Sequence, residues 1–357
     1  MQQSSTQLSQ LVRIHLAVGL GDRSVHKLFL KSDDLDDLIR EIERNTFFGL
    51  LKNDKVKLPS ARDVENVVGE IKRLGVRVIP SFSSDYPVLL RDLYDPPPII
   101  YFRGDYKNSD MNSLGVVGTR RYTRYGEQVV QNIVGEASAN GITIISGMAI
   151  GIDTFAHKSA LANNARTIAV LGSGVDVIAP AQNARLYQDI IEHGCVISEF
   201  PMGTQAARFT FPQRNRIIAA LSRGVLVVEA GEMSGTLITA DFALDIGREV
   251  YAVPGSIFSH ASVGTNKLLS MGAKPVLGAE TLLNDFDVKA KEVTDPDSSV
   301  FSETQLCVFS KLSKEPKFID DIIVSSGIES NAVVQALLEL ELKGFIKRVH
   351  GDYYFRG

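Results

Sequence analysis

Short apolar runs alternate with helix-like segments through the middle of the chain, between residues 114 and 256. Six of these runs end in a turn that contains glycine, and most of the turns open into a segment with helical spacing of its apolar residues. The runs and the residue that follows each are LGVV before Gly118, ITIIS before Gly147, TIAVL before Gly172, CVISEF before Pro201, GVLVVEA before Gly231 and EVYAV before Pro254. Strands without a polar face are typical of a parallel sheet that helices cover on both faces.

The carboxyl ends of parallel strands lie along one edge of their sheet, where open α/β folds bind ligands. The pattern therefore predicts an α/β protein with all six turns along that edge. Helices that start there present free backbone N–H groups and the positive end of the helix dipole, which suit anions and phosphate above all. The sequence thus predicts a row of phosphate-compatible turns.

The segments before the sheet region have a different pattern. Residues 1–60 have the apolar spacing of short helices around Gly19-Leu20-Gly21, a turn found in modules that touch the DNA backbone and also in ordinary helix hairpins. Residues 61–113 predict a helix, a short strand and a bridging segment. Pro96, Pro97 and Pro98 exclude helix and central strand locally, so we expect a rigid extended segment that packs on the next domain through residues 99–102.

The pattern after residue 113 predicts two further domains joined by a linker. We expect the sheet domain over 114–286, a polar linker over 287–300 and a small domain over 301–357. The small domain has three helix-like stretches and then two short strands, which is the winged-helix pattern. The stretches are 303–311, 318–325 and 330–343.

Composition narrows the class of protein. A chain of 357 residues accommodates two or three domains. Its net charge of −4 excludes a polycation that coats nucleic acid, but it leaves room for a local basic site. Two cysteines, Cys195 and Cys307, are typical of a reduced cytoplasmic protein without a disulfide framework. No signal peptide and no membrane-spanning run is evident, so we expect a cytoplasmic protein without a membrane partner.

The first candidate ligand-binding segment, GTRRYTRYG at residues 118–126, directly follows the strand LGVV. Arg120, Arg121 and Arg124 are able to grip phosphates bidentately, and Tyr122 and Tyr125 offer faces on which a base stacks. The alternative is that these arginines form local ion pairs and the tyrosines pack in the fold.

The second candidate segment, residues 208–224, is basic within an acidic protein. It contains no acidic residue and four arginines, which are Arg208, Arg214, Arg216 and Arg223. A helix that starts near Pro212 places Arg214 and Arg216 in its first turns. Phe209 and Phe211 precede that helix, and one of them facing outward makes a stacking platform, although phenylalanine is more often a core residue. The cluster favours single-stranded nucleic acid as the ligand.

The third candidate is the helix start SGTLITA after the strand GVLVVEA. Ser234 is suited to cap the helix, and Gly235 allows a phosphate to approach the backbone. Capping alone also explains this sequence.

Eight motifs occur in order across residues 86–273, and together they resemble the DprA/Smf family of bacterial DNA-processing proteins. Each is weak alone, but their number and order make the resemblance specific. The motifs are YPVLLRDLYDPPPIIYFRGD, VVGTRRYTRYG, ISGMAIGIDTFAH, TIAVLGSGVDV, ISEF, FPQRNRIIAALS, VVEAGEMSGTLITADFAL and VYAVPG with VGTNKLLSMGA.

The resemblance implies an extended Rossmann-like domain, flanked by a helical module and a winged helix, that binds single-stranded DNA. It further implies a homodimeric recombination mediator that protects incoming single strands and helps to load the RecA recombinase in natural transformation, without a cofactor. By position, Arg120 and Arg208 match the phosphate-binding residues and Phe211 matches the base-stacking aromatic, with Arg214 and Arg216 beside them. The small-residue turns that admit phosphates correspond to Gly118, Thr119, Ser146, Gly147, Gly172, Ser173, Gly174, Ser234 and Gly235.

Two positions depart from the family pattern. Ala179-Pro180 stands where a tyrosine–proline pair is usual, so any DNA contact of that tyrosine is missing. Arg208 stands where lysine is expected, and it binds phosphate with a different geometry.

Other functions find weaker support in the sequence. Asp153 and His157, at i and i+4, suggest a catalytic pair or half a metal site, but without a third ligand a contact that braces the helix is the preferred interpretation. A phosphoribohydrolase-like enzyme needs a carboxylate at the ribose, for which Glu199, Glu229 and Glu232 are candidates. A winged-helix transcription regulator is disfavoured because glutamates lie on the third helix, so we expect this domain to contact protein, or DNA only through its wing.

Overall fold

The computed structural model of the chain divides into two compact units, Met1–Ala290 and Lys291–Gly357. The structure describes residues 4–17, 22–44, 57–289, 301–313, 316–349 and 351–356. The predicted Gly19-Leu20-Gly21 turn and most of the predicted linker over 287–300 lie outside these residues. None of the helices within these ranges is both long and apolar enough to cross a bilayer.

The first unit is built on a nine-stranded, mostly parallel sheet in the order β1-β2-β6-β5-β4-β3-β7-β8-β9. The strands are β1 Arg77–Pro80, β2 Ile99–Gly104, β3 Ser113–Val117, β4 Thr143–Ser146, β5 Thr167–Val170, β6 Cys195–Ser198, β7 Gly224–Val227, β8 Glu249–Ala252 and β9 Lys274–Pro275. The six strands predicted from the apolar runs, β3 to β8, pair in parallel with one another. The predicted α/β class and the common edge for the six turns are therefore confirmed.

The strand order reverses direction next to β3. From β3 the chain adds β4, β5 and β6 on one side, and then returns to place β7 and β8 on the other side. Loops that leave β3 and β7 therefore diverge to opposite faces, and the crevice between them at the carboxyl edge is where open α/β sheets bind ligands.

Helices cover both faces of the sheet, as the apolar strands require. Leu114 and Val116 of β3 face one core and Val117 faces the other, which follows from the two-residue period of a strand. The helices are α1 Ser5–His15, α2 Asp22–Phe29, α3 Leu35–Arg44, α4 Ala61–Arg73, α5 Arg124–Val129, α6 Gly135–Ala139, α7 Ile152–Ala162, α8 Ala184–His193, α9 Thr210–Leu221, α10 Gly235–Asp245, α11 Val263–Ser270 and α12 Ala279–Asp285. A π-helical turn, Val130–Val134, joins α5 to α6.

The predicted bridge over 61–113 belongs to the sheet. β2 begins at Ile99, directly after the three prolines, and pairs with both β1 and β6 in antiparallel register. Its apolar residues alternate between two cores, with Ile99 and Tyr101 on one face and Ile100 and Phe102 on the other. The expected extended segment is thus an internal strand of the sheet. This is possible because the three prolines come before Ile99, where the hydrogen bonds of β2 to its neighbours begin.

The described N-terminal helices share a core with the sheet. Leu11, Leu38 and Ile71 pack in the same cluster as Tyr101 and Val196. The helices before residue 60 therefore join the first unit through common apolar packing.

The second unit has the winged-helix order that the sequence predicts. Its helices are α13 Glu303–Ser310, α14 Ile319–Ser326 and α15 Ser330–Leu342, and its strands are β10 Lys317–Phe318, β11 Ile346–Val349 and β12 Tyr353–Arg356. Ser302 caps α13 with a reciprocal contact to Gln305, and Val308, Ile322 and Leu337 are buried in its own core. This unit has the helices and the wing that a winged helix needs.

Candidate nucleic-acid interface

A pocket of about 340 Å³ lies at the carboxyl edge of the sheet, beside the crevice between β3 and β7. We call it the arginine pocket. Its walls are the turn after β3, the residues that lead into α9, and the start of α10. Among the predicted site residues, the structure brings together Gly118, Thr119, Arg120, Arg208, Phe211, Arg214, Ser234 and Gly235.

Arg120 and Arg208 supply exposed positive charge at this pocket. Both side chains are exposed, and neither forms an ion pair with any described residue. The Arg120 guanidinium lies 4.9 Å from the centroid of the Phe211 ring, a cation–π contact that orients both groups. Arg121 and Arg124, in the same turn and helix start, are exposed and lie outside the pocket lining. The alternative of local ion pairs, which the sequence left open for Arg120, Arg121 and Arg124, does not occur for any of the three among the described residues.

Arg214 forms the buried floor of the arginine pocket. Its Nη1 donates a 2.6 Å hydrogen bond to the carbonyl of Val170, while its Nε is buried without a hydrogen-bond partner. Burial lowers the pKa of Arg214 to about 10, so the side chain stays positively charged at neutral pH. The guanidinium packs on Gly147, where an added Cβ would lie 1.7 Å from Nη1. A buried charge with a spare donor adds to the attraction for an anion.

Asp153 of α7 balances part of this buried charge. It lines the same pocket, and one carboxylate oxygen accepts a 3.2 Å hydrogen bond from the N–H of Gly147. Burial raises the pKa of Asp153, and the charge of Arg214 opposes that rise. The Asp153 side chain therefore holds the Gly147 turn by a hydrogen bond and interacts with Arg214 through its charge.

The start of α10 contributes backbone donors. Ser234 caps this helix by accepting a hydrogen bond from the Thr236 N–H at 3.3 Å. No atom lies within 4 Å of the position that a Cβ would take on Gly235, so the backbone there is open to a ligand. The residues thus cap the helix and leave its first turn accessible, so both interpretations of this motif remain compatible with the geometry.

Several small residues of the turns have packing roles. A Cβ on Gly118 would lie 2.5 Å from Ile152, and one on Gly172 would lie 3.2 Å from Phe211. The hydroxyls of Ser146 and Ser173 are buried and donate to the carbonyls of Val116 and Val177. The fold therefore needs these side chains to be small, and the two hydroxyls point into the protein. Gly174 is likewise closed in by Asp176 and the Pro201 carbonyl.

The structure places Arg216 outside the lining of the arginine pocket. Its guanidinium pairs with the buried carboxylate of Glu199 and donates to the Asp95 carbonyl at 2.7 Å. Arg214 and Arg216 are two residues apart on α9, which turns them by about 200° from each other. Arg216 therefore stabilises the junction of α9 with the segment before β2 and is not available to a ligand in the arginine pocket.

A second cavity of about 210 Å³, which we call the apolar pocket, adjoins the first. The two share Arg120, Ala149 and Phe211. The apolar pocket is otherwise lined by small and apolar groups from three turns, including Ile150, Gly172, Ala179, Pro180 and Ala206. In the sequence, Ala179 stood out only as a departure from the family's tyrosine, and Ala206 gave no signal, since a cavity depends on how separate turns meet.

Two aromatic side chains differ in their exposure. Phe209 is 70% exposed, whereas Phe211 is partly buried beneath Arg120. The sequence showed that one of the two could face outward, but it did not show which. Phe209 is therefore an additional candidate for base stacking beside Arg208.

The groups considered for other chemistry do not assemble a catalytic site in the described residues. Nδ1 of His157 bonds to Oγ1 of Thr167 at 2.7 Å, so the expected contact between Asp153 and His157 is replaced by one partner for each. Glu229 accepts hydrogen bonds from Thr123, and Glu199 pairs with Arg216. Neither glutamate lines the arginine pocket. A group of three metal-ligating side chains is also absent from the described ranges.

The sequence has close relatives among known proteins. Residues 77–287 match the family described as DNA recombination-mediator protein A, and residues 291–352 match the DprA winged helix domain. The chain is 40% identical to the DNA processing protein DprA of Bacillus subtilis over 64% of this chain and 78% of the relative. It is 37% identical to the protein Smf of Escherichia coli over 82% of this chain and 80% of the relative.

Solved structures agree with the sequence relatives. The DprA structure from Streptococcus pneumoniae superposes with a TM-score of 0.67 and 31% identity, covering 81% of this chain and all of that one. DNA processing protein A from Helicobacter pylori, whose structure concerns its binding of single-stranded DNA, superposes with a TM-score of 0.55 and 29% identity over 60% of this chain and 97% of that one. The resemblance found in the sequence motifs is therefore confirmed, and the chain belongs to the DNA recombination-mediator protein A family, DprA/Smf.

Proposed function

We propose that this protein binds single-stranded DNA along the carboxyl edge of the sheet and acts as a recombination mediator. The observation that carries the proposal is the arginine pocket, where exposed Arg120 and Arg208, buried Arg214 and the open start of α10 converge. Each of these groups favours a phosphate, through a bidentate guanidinium or through free backbone N–H groups.

Aromatic groups beside the pocket suit a single strand better than a duplex. Phe211 lines both pockets, and Phe209 is exposed next to Arg208. Unpaired bases have free faces that stack on such rings, whereas the bases of a duplex are already stacked on one another. The interface thus holds phosphates by charge and bases by their faces.

The biological role that we propose is the one that the family resemblance implies. The protein protects incoming single strands and helps to load the RecA recombinase during natural transformation, and it works as a homodimer in the cytoplasm without a cofactor. A relative and a solved structure described as DNA processing proteins support this role.

The first test measures binding of a labelled single strand and of its duplex by fluorescence anisotropy at about 0.15 M salt. We expect tight binding of the single strand and weak binding of the duplex. Replacing Arg120 and Arg208 by alanine should weaken single-strand binding and flatten the dependence of log K on log salt by about 0.7 for each phosphate that is no longer neutralised. Arg62→Ala combined with Lys72→Ala, an equal charge change at two exposed positions of α4, is the control. If the slope of log K against log salt is the same for the double variant and wild type, the assignment of Arg120 and Arg208 to the DNA site is wrong.

The mediator role needs a second measurement. RecA filament formation is followed on a single strand coated with a single-strand-binding protein, with and without this chain. We expect wild type to speed filament growth and the Arg120/Arg208 double variant to lose that effect, since loading requires DNA to be held. If wild type binds the strand tightly and leaves filament growth unchanged, the protein binds DNA without loading RecA.

A further inference from the structure

The turn that carries Arg120 is tied at both ends to Glu229, the second residue after β7. The backbone carbonyl of Glu229 accepts a 2.8 Å hydrogen bond from the N–H of Thr119. Its carboxylate accepts two more from Thr123, one through Oε2 from the backbone N–H at 2.9 Å and one through Oε1 from the hydroxyl at 2.5 Å. One glutamate therefore fixes the chain on either side of Arg120.

The side chain of Glu229 is placed to hold this turn and is closed to a ligand. It is 1% exposed, and it lines neither the arginine pocket nor the apolar pocket. A Cβ on Gly126 would collide with its carboxylate, so a glycine gives α5 the room to pass over it. Because Thr123 donates two hydrogen bonds, its partner needs two acceptor atoms, which a carboxylate has and the amide of a glutamine has not.

The same arrangement leaves the charge of Arg120 unopposed. A carboxylate beside a cationic turn pairs readily with a guanidinium and then competes with a phosphate for it. Here both carboxylate oxygens of Glu229 are engaged by Thr123, and Arg120 is exposed without an ion pair among the described residues. Neutral donors thus hold the turn while its cation stays accessible.

We propose that Glu229 is a positioning residue for DNA binding, which fixes the turn after β3 so that Arg120 meets a strand phosphate in the arginine pocket. The inference rests on the proposed function and adds to it a residue that does not itself touch the DNA. A phosphate that meets an ordered turn does not have to offset the conformational entropy lost when that turn becomes fixed.

The test measures the affinity for a thymidine strand by fluorescence anisotropy in Glu229→Gln, alone and combined with Arg120→Ala or with Arg208→Ala. Glutamine keeps the size of the side chain and removes one of its two acceptor atoms. Glu127→Gln is the matched control, because it removes the same charge from α5, where its carboxylate accepts a hydrogen bond from Gln131. Thermal melting confirms that each variant is folded.

We expect Glu229→Gln to bind the strand about five-fold more weakly than wild type, although loss of a negative charge near the interface would by itself strengthen binding. Glu127→Gln should bind at least as tightly as wild type for that reason. The effect of Glu229→Gln should disappear in the Arg120→Ala background and remain about five-fold in the Arg208→Ala background. The two backgrounds differ because only Arg120 lies on the turn that Glu229 holds.

A second pair of variants tests the same contact from the other side, and it decides the question even if Glu229→Gln does not fold. Thr123→Val removes the hydroxyl that donates to Glu229, and Thr123→Ser keeps it. We expect Thr123→Val to bind as weakly as Glu229→Gln, and Thr123→Ser to bind within about two-fold of wild type.

Wild-type affinity in Glu229→Gln and Thr123→Val would overturn the inference. An equal loss from Glu229→Gln in the Arg120→Ala and Arg208→Ala backgrounds would also overturn it, because the glutamate would then support the fold without a particular effect on Arg120. Both outcomes differ from failure of the proposed function, in which wild type itself does not bind single strands.

Discussion

At the scale of single residues, the contact between Arg120 and Phe211 links charge to stacking. The guanidinium lies 4.9 Å from the ring centroid, a contact that contributes about 0.5–1 kcal/mol at an exposed site. The two residues are far apart in sequence and meet because β3 and α9 both reach the carboxyl edge of the sheet. A base that stacks on Phe211 therefore meets a ring that is already oriented, with a cation within reach of the neighbouring phosphate.

Substitutions of two glycines at the arginine pocket test packing and ligand binding separately. Gly118→Ala places a Cβ 2.5 Å from the fully buried Ile152, so we expect a loss of about 1–3 kcal/mol in the free energy of unfolding. Gly235→Ala meets no atom within 4 Å, and we expect its stability to be unchanged or slightly raised. Its methyl group would nevertheless cover the start of α10, so single-strand affinity should fall several-fold.

Urea unfolding and anisotropy, run on both glycine variants, check these two effects. A Gly118→Ala protein as stable as wild type would show that the turn can move away from Ile152. Wild-type affinity in Gly235→Ala would show that no phosphate approaches the start of α10.

The sequence predicted correctly which residue types lie at the carboxyl edge of the sheet. It did not predict the direction in which each side chain points. Arg120, Arg208 and Gly235 are accessible at the arginine pocket, but Ser146 and Ser173 turn inward to bond carbonyls. Arg216 was predictable as an outlier, because residues two apart on a helix face nearly opposite sides. The apolar pocket was not predictable, because alanines become a cavity wall only when separate turns meet.

At the scale of helices and strands, local patterns predicted elements well and long-range pairing poorly. The winged-helix stretch predicted over 303–311 is the helix Glu303–Ser310 in the structure. β2 was missed as a sheet strand, since its partner β6 lies far along the chain and pairs in antiparallel register. Periodicity shows the faces of a strand, but it carries no information on which strand lies beside it.

Helix α7 carries a histidine that makes stability depend on pH. Burial lowers the pKa of His157 to about 3, from an ordinary value of 6.5. The folded protein thus keeps this ring neutral while the unfolded chain takes up a proton below about pH 6.5. The stability that this group contributes is complete above that pH, and it is lost as the pH falls towards 3.

We expect wild type to lose roughly 2 kcal/mol of stability through this group between pH 7 and pH 5. Urea unfolding at both pH values measures this loss of unfolding free energy. The His157→Gln variant should lack the share of the loss that comes from this histidine. His193→Gln, at an exposed position of α8, controls for the loss of a histidine elsewhere. Identical pH dependence in wild type and His157→Gln would show that the ring is accessible to protons in the fold.

At the scale of the whole molecule, a net charge of −4 coexists with a cationic edge. Several arginines elsewhere in the first unit are engaged in ion pairs, as in the pairs of Arg166 with Asp110 and Arg248 with Asp92. Arg120, Arg121, Arg124 and Arg208 are exposed and form no ion pair in the described part of the chain. These four arginines therefore concentrate unpaired positive charge near the carboxyl edge of the sheet, and a net negative charge on the whole chain disfavours non-specific coating of a polyanion.

The winged helix has exposed apolar side chains on its third helix and paired arginines on its wing. Val334, Leu338 and Leu342, spaced by four residues on α15, are exposed where a groove-reading helix would present polar groups. On the wing, Arg348 is paired with Asp352, and the guanidinium of Arg356 donates to the Phe309 carbonyl at 3.1 Å. In the described part of the wing, Lys347 is the remaining exposed cation without an ion pair that could hold a phosphate.

Removal of residues 301–357 should therefore leave the affinity for a single strand within about two-fold of wild type and the salt slope unchanged. Duplex binding should stay weak in both proteins, because we propose that the interface needs unpaired bases, which a duplex does not offer. Anisotropy titrations of the shortened and full chains with both DNA forms measure this, and Lys347→Ala in the full chain isolates the wing. A drop of tenfold or more in single-strand affinity on shortening, matched by Lys347→Ala, would instead place the wing on the DNA and make the winged helix a second phosphate-binding site.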